Sequence, residues 1–144
     1  MKILVINGPN LNLLGIREPG IYGAMNYEGL CAMVTEKGAE LGAEVTCFQS
    51  NHEGAIIDAI HGAMGVYDGI VMNPGAFTHY SYAILDALKS AKVPTIEVHI
   101  SNVHQREEFR HKSVTAPACV GQICGLGTFG YVLAIQYFME HCHG

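Results

Sequence analysis

Arginine is scarce in this chain. There are three in 144 residues, Arg17, Arg106 and Arg110, within a formal net charge of −5. A protein that coats a phosphate backbone needs a basic face, so non-specific nucleic-acid binding is excluded as a main role. Disulfide signals are missing too. Cys31, Cys47, Cys119, Cys124 and Cys142 are odd in number and include no CxxC pair, the pattern of reduced thiols in a cytoplasmic protein and not of a secreted framework. Each reads as a small core hydrophobe. Long apolar runs are lacking: KILVI is of strand length, and nothing nears the roughly 18 residues a membrane span requires. The expectation is a soluble cytoplasmic chain without an address label or membrane partner. Two local absences count against flavodoxin and receiver-type binding modules. GPNLNLLG has no Ser or Thr for a flavin phosphate loop, and KILVING has no carboxylate for the acidic cluster of a receiver.

What is present amounts to one domain, 1–144, long enough to bury roughly two thirds of its unfolded surface. Residues 2–7, KILVIN, form an apolar strand, and a run of that kind is buried on both faces. GPNLNLLGIREPGIYG follows with four glycines, two prolines and no period, which makes about 9–25 a lid or binding loop. Within it Arg17 and Tyr22 can approach, and a cation beside a phenol favours the phenolate. A helix over 26–41 carries Asn26 as N-cap and Gly42 at its C-cap, and 44–49 is a second strand. Ser50 and Glu53 have capping-box spacing at the head of a helix over 53–66. DGIVM at 68–72 is the third strand, running into Asn73-Pro74-Gly75 with His79 near the start of a helix at 81–91. That helix has Ala83, Ile84, Ala87 and Leu88 on its apolar stripe and Asp86 off it, on a solvated face. Strands at 94–100 and 116–125 and an apolar helix at 127–141 complete the chain.

Five strands alternating with helices predict an α/β fold, a flavodoxin-like, doubly wound five-stranded parallel sheet of order 2-1-3-4-5. The chemistry then gathers at the carboxyl edge, around TIEVHISNVHQREEFRH at 95–111. The two-residue period of a strand puts Thr95, Glu97, His99 and Ser101 on one face, opposite Ile96, Val98 and Ile100. Glu97 can therefore orient the imidazole of His99, which prepares it to move a proton. Arg106 and Arg110 share a face if 105–111 forms a helical turn, an arrangement suited to an oxygen-rich anion. With Asn10, Asn73 and the backbone amides of Ile100 and Ser101, this is equipment for removing a proton next to a carbonyl, holding an enolate and protonating a leaving oxygen.

The motifs ILVINGPNLNLLGIREPGIYG, FQSNHEG, NPGAFTHYS, EVHISNVHQREEFRHKS and ICGLGTFGY, in that order over nearly the whole chain, resemble the type II 3-dehydroquinate dehydratases. The resemblance implies a hydro-lyase of the shikimate or quinate pathway that converts 3-dehydroquinate to 3-dehydroshikimate with no metal, organic cofactor or lysine Schiff base. By resemblance Tyr22 is the base, its pKa lowered by Arg17 and Arg106, with Arg17 in the lid. Asn10 holds a water on the enolate, and His99, oriented by Glu97, protonates the departing hydroxyl. Ile100 and Ser101 receive the substrate carboxylate, Asn73, His79 and Arg110 the ring hydroxyls, and Asp86 reaches in from a neighbouring subunit of a homododecamer built from trimers. The alternative is a non-catalytic flavodoxin-like scaffold or binding module, against which Tyr22, Arg17 and His99 stand.

Overall fold

The computed structural model describes residues 1–16 and 25–141. Among them five parallel strands form one sheet, β1 Lys2–Asn7, β2 Glu44–Gln49, β3 Gly69–Asn73, β4 Thr95–His99 and β5 Gly121–Cys124, in the order β2-β1-β3-β4-β5. The expected doubly wound fold is the one observed. Four α-helices flank it: α1 Tyr27–Glu40, α2 Glu53–Gly62, α3 Tyr82–Ala91 and α4 Phe129–His141.

Strand alternation sorts the side chains into two cores. Ile3, Val5, Val71, Ile96 and Val98 turn to one face, where α1 adds Leu30 and Val34 and α4 adds Tyr131, Ala134, Ile135 and Phe138. Leu4, Ile6, Ile70 and Met72 turn to the other, against Ile56 and Ile60 of α2 and Ile84, Ala87 and Leu88 of α3. β1 and β3 are buried on both sides for this reason, and they read as apolar runs up to the asparagine that ends each.

The ends of α1 are as expected. Asn26 accepts from the Gly29 amide at 2.8 Å. Gly42, at φ 92°, lets the chain double back so that the Ala43 amide reaches the Gly38 carbonyl at 2.8 Å and the Gly42 amide reaches that of Ala39 at 3.0 Å.

Four local expectations are corrected. The Ser50–Glu53 capping box does not form: His52 is the N-cap of α2, the Ser50 hydroxyl accepts from the His52 amide, and Glu53 accepts instead from the Ser81 hydroxyl. Ser81 is itself the N-cap of α3, accepting from the Ile84 amide at 3.0 Å, so the glutamate links two helices where a local box would have served one. α2 also stops at Gly62, earlier than 66. β5 is shorter than 116–125, because Ala116–Ala118 is a 3-10 turn with Pro117 in it, and proline has no N–H for a ladder. In α3 the buried stripe is Ile84, Ala87, Leu88 and Ala91, and Ala83 faces outward.

Where the chain leaves β1 it crosses the turn after β3 at very short range. The Gly8 amide donates to the Asn73 carbonyl at 2.7 Å, and a Cβ on Gly8 would lie 2.4 Å from the Pro74 carbonyl oxygen. Only glycine allows these two carboxyl-edge loops to touch.

Candidate active site

The carboxyl ends of β1, β3 and β4 open onto a crevice of about 690 Å³, counted with its mouth. Asn10, Asn73, His79, His99, Ile100, Ser101, Arg106 and Arg110 line it, so eight of the residues singled out in the sequence converge. A crevice at this edge is where open parallel sheets bind ligands.

Its floor is the Glu97–His99 pair. The two-residue period sets Glu97 and His99 on one face of β4, and the structure buries all five residues of the strand, with Glu97 at 0 % and His99 at 7 % exposure. A carboxylate survives there because donors surround it: His99 Nε2 at 2.9 Å, Gln122 Nε2 at 2.7 Å and the Thr78 hydroxyl at 3.1 Å on Oε2, and the Thr115 hydroxyl on Oε1. Burial pushes the Glu97 pKa up, but the hydrogen bonds and the His99 charge outweigh it and hold the group below its ordinary value of 4.5. An ionised Glu97 only accepts, so His99 carries a proton on Nε2 and its Nδ1 is left to the crevice.

Asn73 ends β3 with its side chain clamped. Its Nδ2 donates to the Tyr131 hydroxyl at 3.0 Å and its Oδ1 accepts from the Gly75 amide at 3.1 Å. Tyr131, fully buried, donates in turn to Asn7 Oδ1 at 2.7 Å, and burial raises its pKa so that it stays a neutral phenol. His79 donates from Nδ1 to the Lys112 carbonyl at 2.8 Å. Burial lowers its pKa, which favours the neutral ring with Nε2 as an acceptor.

Arg106 and Arg110 arrive by a different route from the one expected. Residues 105–111 are not one helical turn: Val103–Gln105 and Glu108–His111 are separate 3-10 turns, and Arg106 between them has extended backbone at φ −110° and ψ −168°. Both guanidinium groups still line the crevice. Arg106 Nη1 lies 3.5 Å from the Ser101 hydroxyl, while Arg110 pairs with Glu107 at 3.1 Å and stacks 4.7 Å over the Phe109 ring. Two cations beside the amide-rich end of β4 favour a carboxylate ligand.

Asn10 sits at φ 71°, a left-handed conformation that asparagine tolerates. Its amide donates to Asn51 Oδ1 at 2.9 Å, and Gln49 Nε2 binds the same oxygen at 3.0 Å and the Gly8 carbonyl at 3.1 Å. Neither Gln49 nor Asn51 was singled out in the sequence; two amides at the carboxyl end of β2 were the available signal. Thr78, Thr115 and Gln122 were passed over as well, having no pattern that ties them to Glu97. Asp86 stands exposed on α3, away from the crevice of its own chain. Arg17 and Tyr22, with most of the expected lid, lie outside the described residues. Among the described residues no three His, Cys, Asp or Glu side chains converge as metal ligands, and no helix is long and apolar enough to cross a membrane.

Residues 1–139 match the family model described as dehydroquinase class II. The chain is 62 % identical over 142 residues to a 3-dehydroquinate dehydratase of Clostridium perfringens, covering 98 % of this chain and 97 % of the relative. It is 67 % identical to one of Lachnospira eligens, with 97 % of each chain covered. The crystal structure of a type II dehydroquinase from Butyrivibrio crossotus superposes with a TM-score of 0.94 at 62 % identity over 97 % of both chains. That of the Propionibacterium acnes type II dehydroquinase gives 0.94 at 47 % over 96 % of both. With nearly its whole length matched in sequence and in fold, the chain belongs to the class II dehydroquinase family.

Proposed function

We propose that this protein dehydrates 3-dehydroquinate to 3-dehydroshikimate through an enolate. The observation that carries the reading is the buried Glu97–His99 pair at the floor of a crevice walled by two arginines. The substrate carboxylate lies on the Ile100 and Ser101 amides and the Ser101 hydroxyl, and Asn73, His79 and Arg110 hold the ring hydroxyls. Tyr22, as tyrosinate beside Arg17 and Arg106, takes the C2 proton. The electron pair passes to the carbonyl as an enolate, steadied by a water on Asn10. Glu97 keeps Nε2 protonated, and with substrate bound His99 takes up a second proton on Nδ1 from solvent. When the enolate collapses, the C1 oxygen leaves and receives that Nδ1 proton, so that water departs, and Tyr22 returns the C2 proton to solvent. Neither a metal, an organic cofactor nor a Schiff base takes part. The chain works as a single catalytic domain in the cytoplasm, within a homododecamer of trimers in which Asp86 enters the site of a neighbouring subunit.

Ultraviolet absorbance tests this directly, since the product is a conjugated enone acid and the substrate is not. Purified protein treated with chelator and borohydride is expected to produce the rise on addition of 3-dehydroquinate. Folded, oligomeric protein that produces none sinks the reading.

A further inference from the structure

Glu97 is held by more than the residue it orients. Its Oε2 faces three donors: His99 Nε2, the Thr78 hydroxyl and the side-chain amide of Gln122 from β5. These donors differ in commitment. Thr78 has one hydroxyl proton and three acceptors in reach: Glu97 at 3.1 Å, Ser113 at 2.7 Å and Thr115 at 3.0 Å. Its bond to Glu97 therefore competes with a ring of hydroxyls that also joins Ser113 to Thr115 at 3.2 Å. The Gln122 amide cannot rotate its donor away without turning an oxygen toward the carboxylate, and at 2.7 Å it makes the shortest of the three contacts to Oε2.

We propose that Gln122 is a positioning residue for the acid chemistry of His99: its amide keeps Glu97 ionised and accepting, so that Nε2 stays protonated and Nδ1 delivers the proton into the crevice. Without that donor, Oε2 becomes more basic and competes for the Nε2 proton, which frees the imidazole to change tautomer. The inference rests on the dehydratase reading for its kinetic part only. Other titratable groups around the carboxylate are His79, from the turn after β3, and Cys119 and Cys124, flanking and ending β5. Burial pushes Cys119 up to about 12 and Cys124 also upward, so both thiols are neutral across the working pH range.

The test uses the full chain carrying ¹⁵N-labelled histidine, with Gln122→Met and Gln122→Glu variants. In the ligand-free wild type the His99 resonances are expected to show a protonated Nε2 and an unprotonated Nδ1 at neutral pH. In Gln122→Met they move toward a mixture of tautomers. In turnover, kcat falls about tenfold, KM stays within about twofold, and the acid limb of kcat moves up by about half a pH unit. In Gln122→Glu two carboxyl groups share a proton, and the limb moves further in the same direction. Unchanged His99 resonances and an unchanged pH profile in a folded variant overturn the proposal. If Gln122→Met does not fold, Gln122→Glu decides alone. A wild type inert toward 3-dehydroquinate would remove the dehydratase reading, while the resonances would still decide whether Gln122 sets the tautomer.

Discussion

Residue by residue, the crevice works through groups whose protonation is set by their neighbours. His99→Ala removes the proposed proton donor while leaving the Ile100 and Ser101 amides for the carboxylate and Arg110 for the ring hydroxyls. It is expected to lower kcat about a hundredfold to ten-thousandfold with little change in KM, as steady-state absorbance assays would show. The same environment makes stability depend on pH. Glu97 titrates below its unfolded value of 4.5, so between the two the unfolded chain binds more protons. The stability Glu97 confers is full above 4.5 and is lost as pH falls through its folded pKa. His79, lowered from 6.5, acts in the same sense: its contribution is full above 6.5 and declines below. The melting temperature should therefore fall in two stages on acidification, the first beginning near 6.5 and the second below 4.5. His79→Asn is expected to flatten the first stage in a calorimetric series, and an unaltered first stage would refute its assignment.

Elements place these residues by close approach. Loop one crosses the turn after β3 at Gly8, where an added methyl would meet backbone, which cannot yield as a flexible side chain can. Gly8→Ala is expected to cost about 1–3 kcal/mol of stability and to raise KM, because Asn10 and Asn73 stand on either side of the crossing. Thermal denaturation beside substrate titration would separate the two effects. How much of the site was legible in the sequence follows from the same geometry. Glu97 and His99 could be paired from strand period alone, being two residues apart on one strand. Gln122, Thr78 and Thr115, between 18 and 25 residues from Glu97, could not, because only sheet pairing and loop return bring them together. The arginines show an intermediate case: a helical turn was the wrong local structure, yet two short 3-10 turns deliver both side chains to the same crevice.

For the whole molecule, the exposed position of Asp86 has a consequence for assembly. In the proposed dodecamer it serves a neighbour's site, so light scattering should give a mass near twelve times the 15.5 kDa chain. Asp86→Ala is expected to raise KM severalfold without unfolding, since the side chain is exposed on α3. Tyr22→Phe should bind substrate and lose most turnover. At substrate concentrations below KM, assemblies reconstituted from both variants should contain some sites with an intact Tyr22 and a neighbour's intact Asp86, and so turn over faster than the average of the two parents. Activity equal to that average would place Asp86 outside the site.

The sequence by itself determined the class of fold, the strand order and the family, because apolar periodicity, turn residues and long motifs are properties of contiguous chain. It also singled out Asn10, Asn73, His79, His99, Ile100, Ser101, Arg106 and Arg110, which the fold brings to one crevice. Tertiary structure alone decided how Glu97 remains charged at zero exposure, why Glu53 caps no helix of its own, and which amides pin Asn10. Each of these is a contest among hydrogen-bond partners distant in sequence. The outcome is set by which donor the folded sheet brings within about 3 Å of the acceptor.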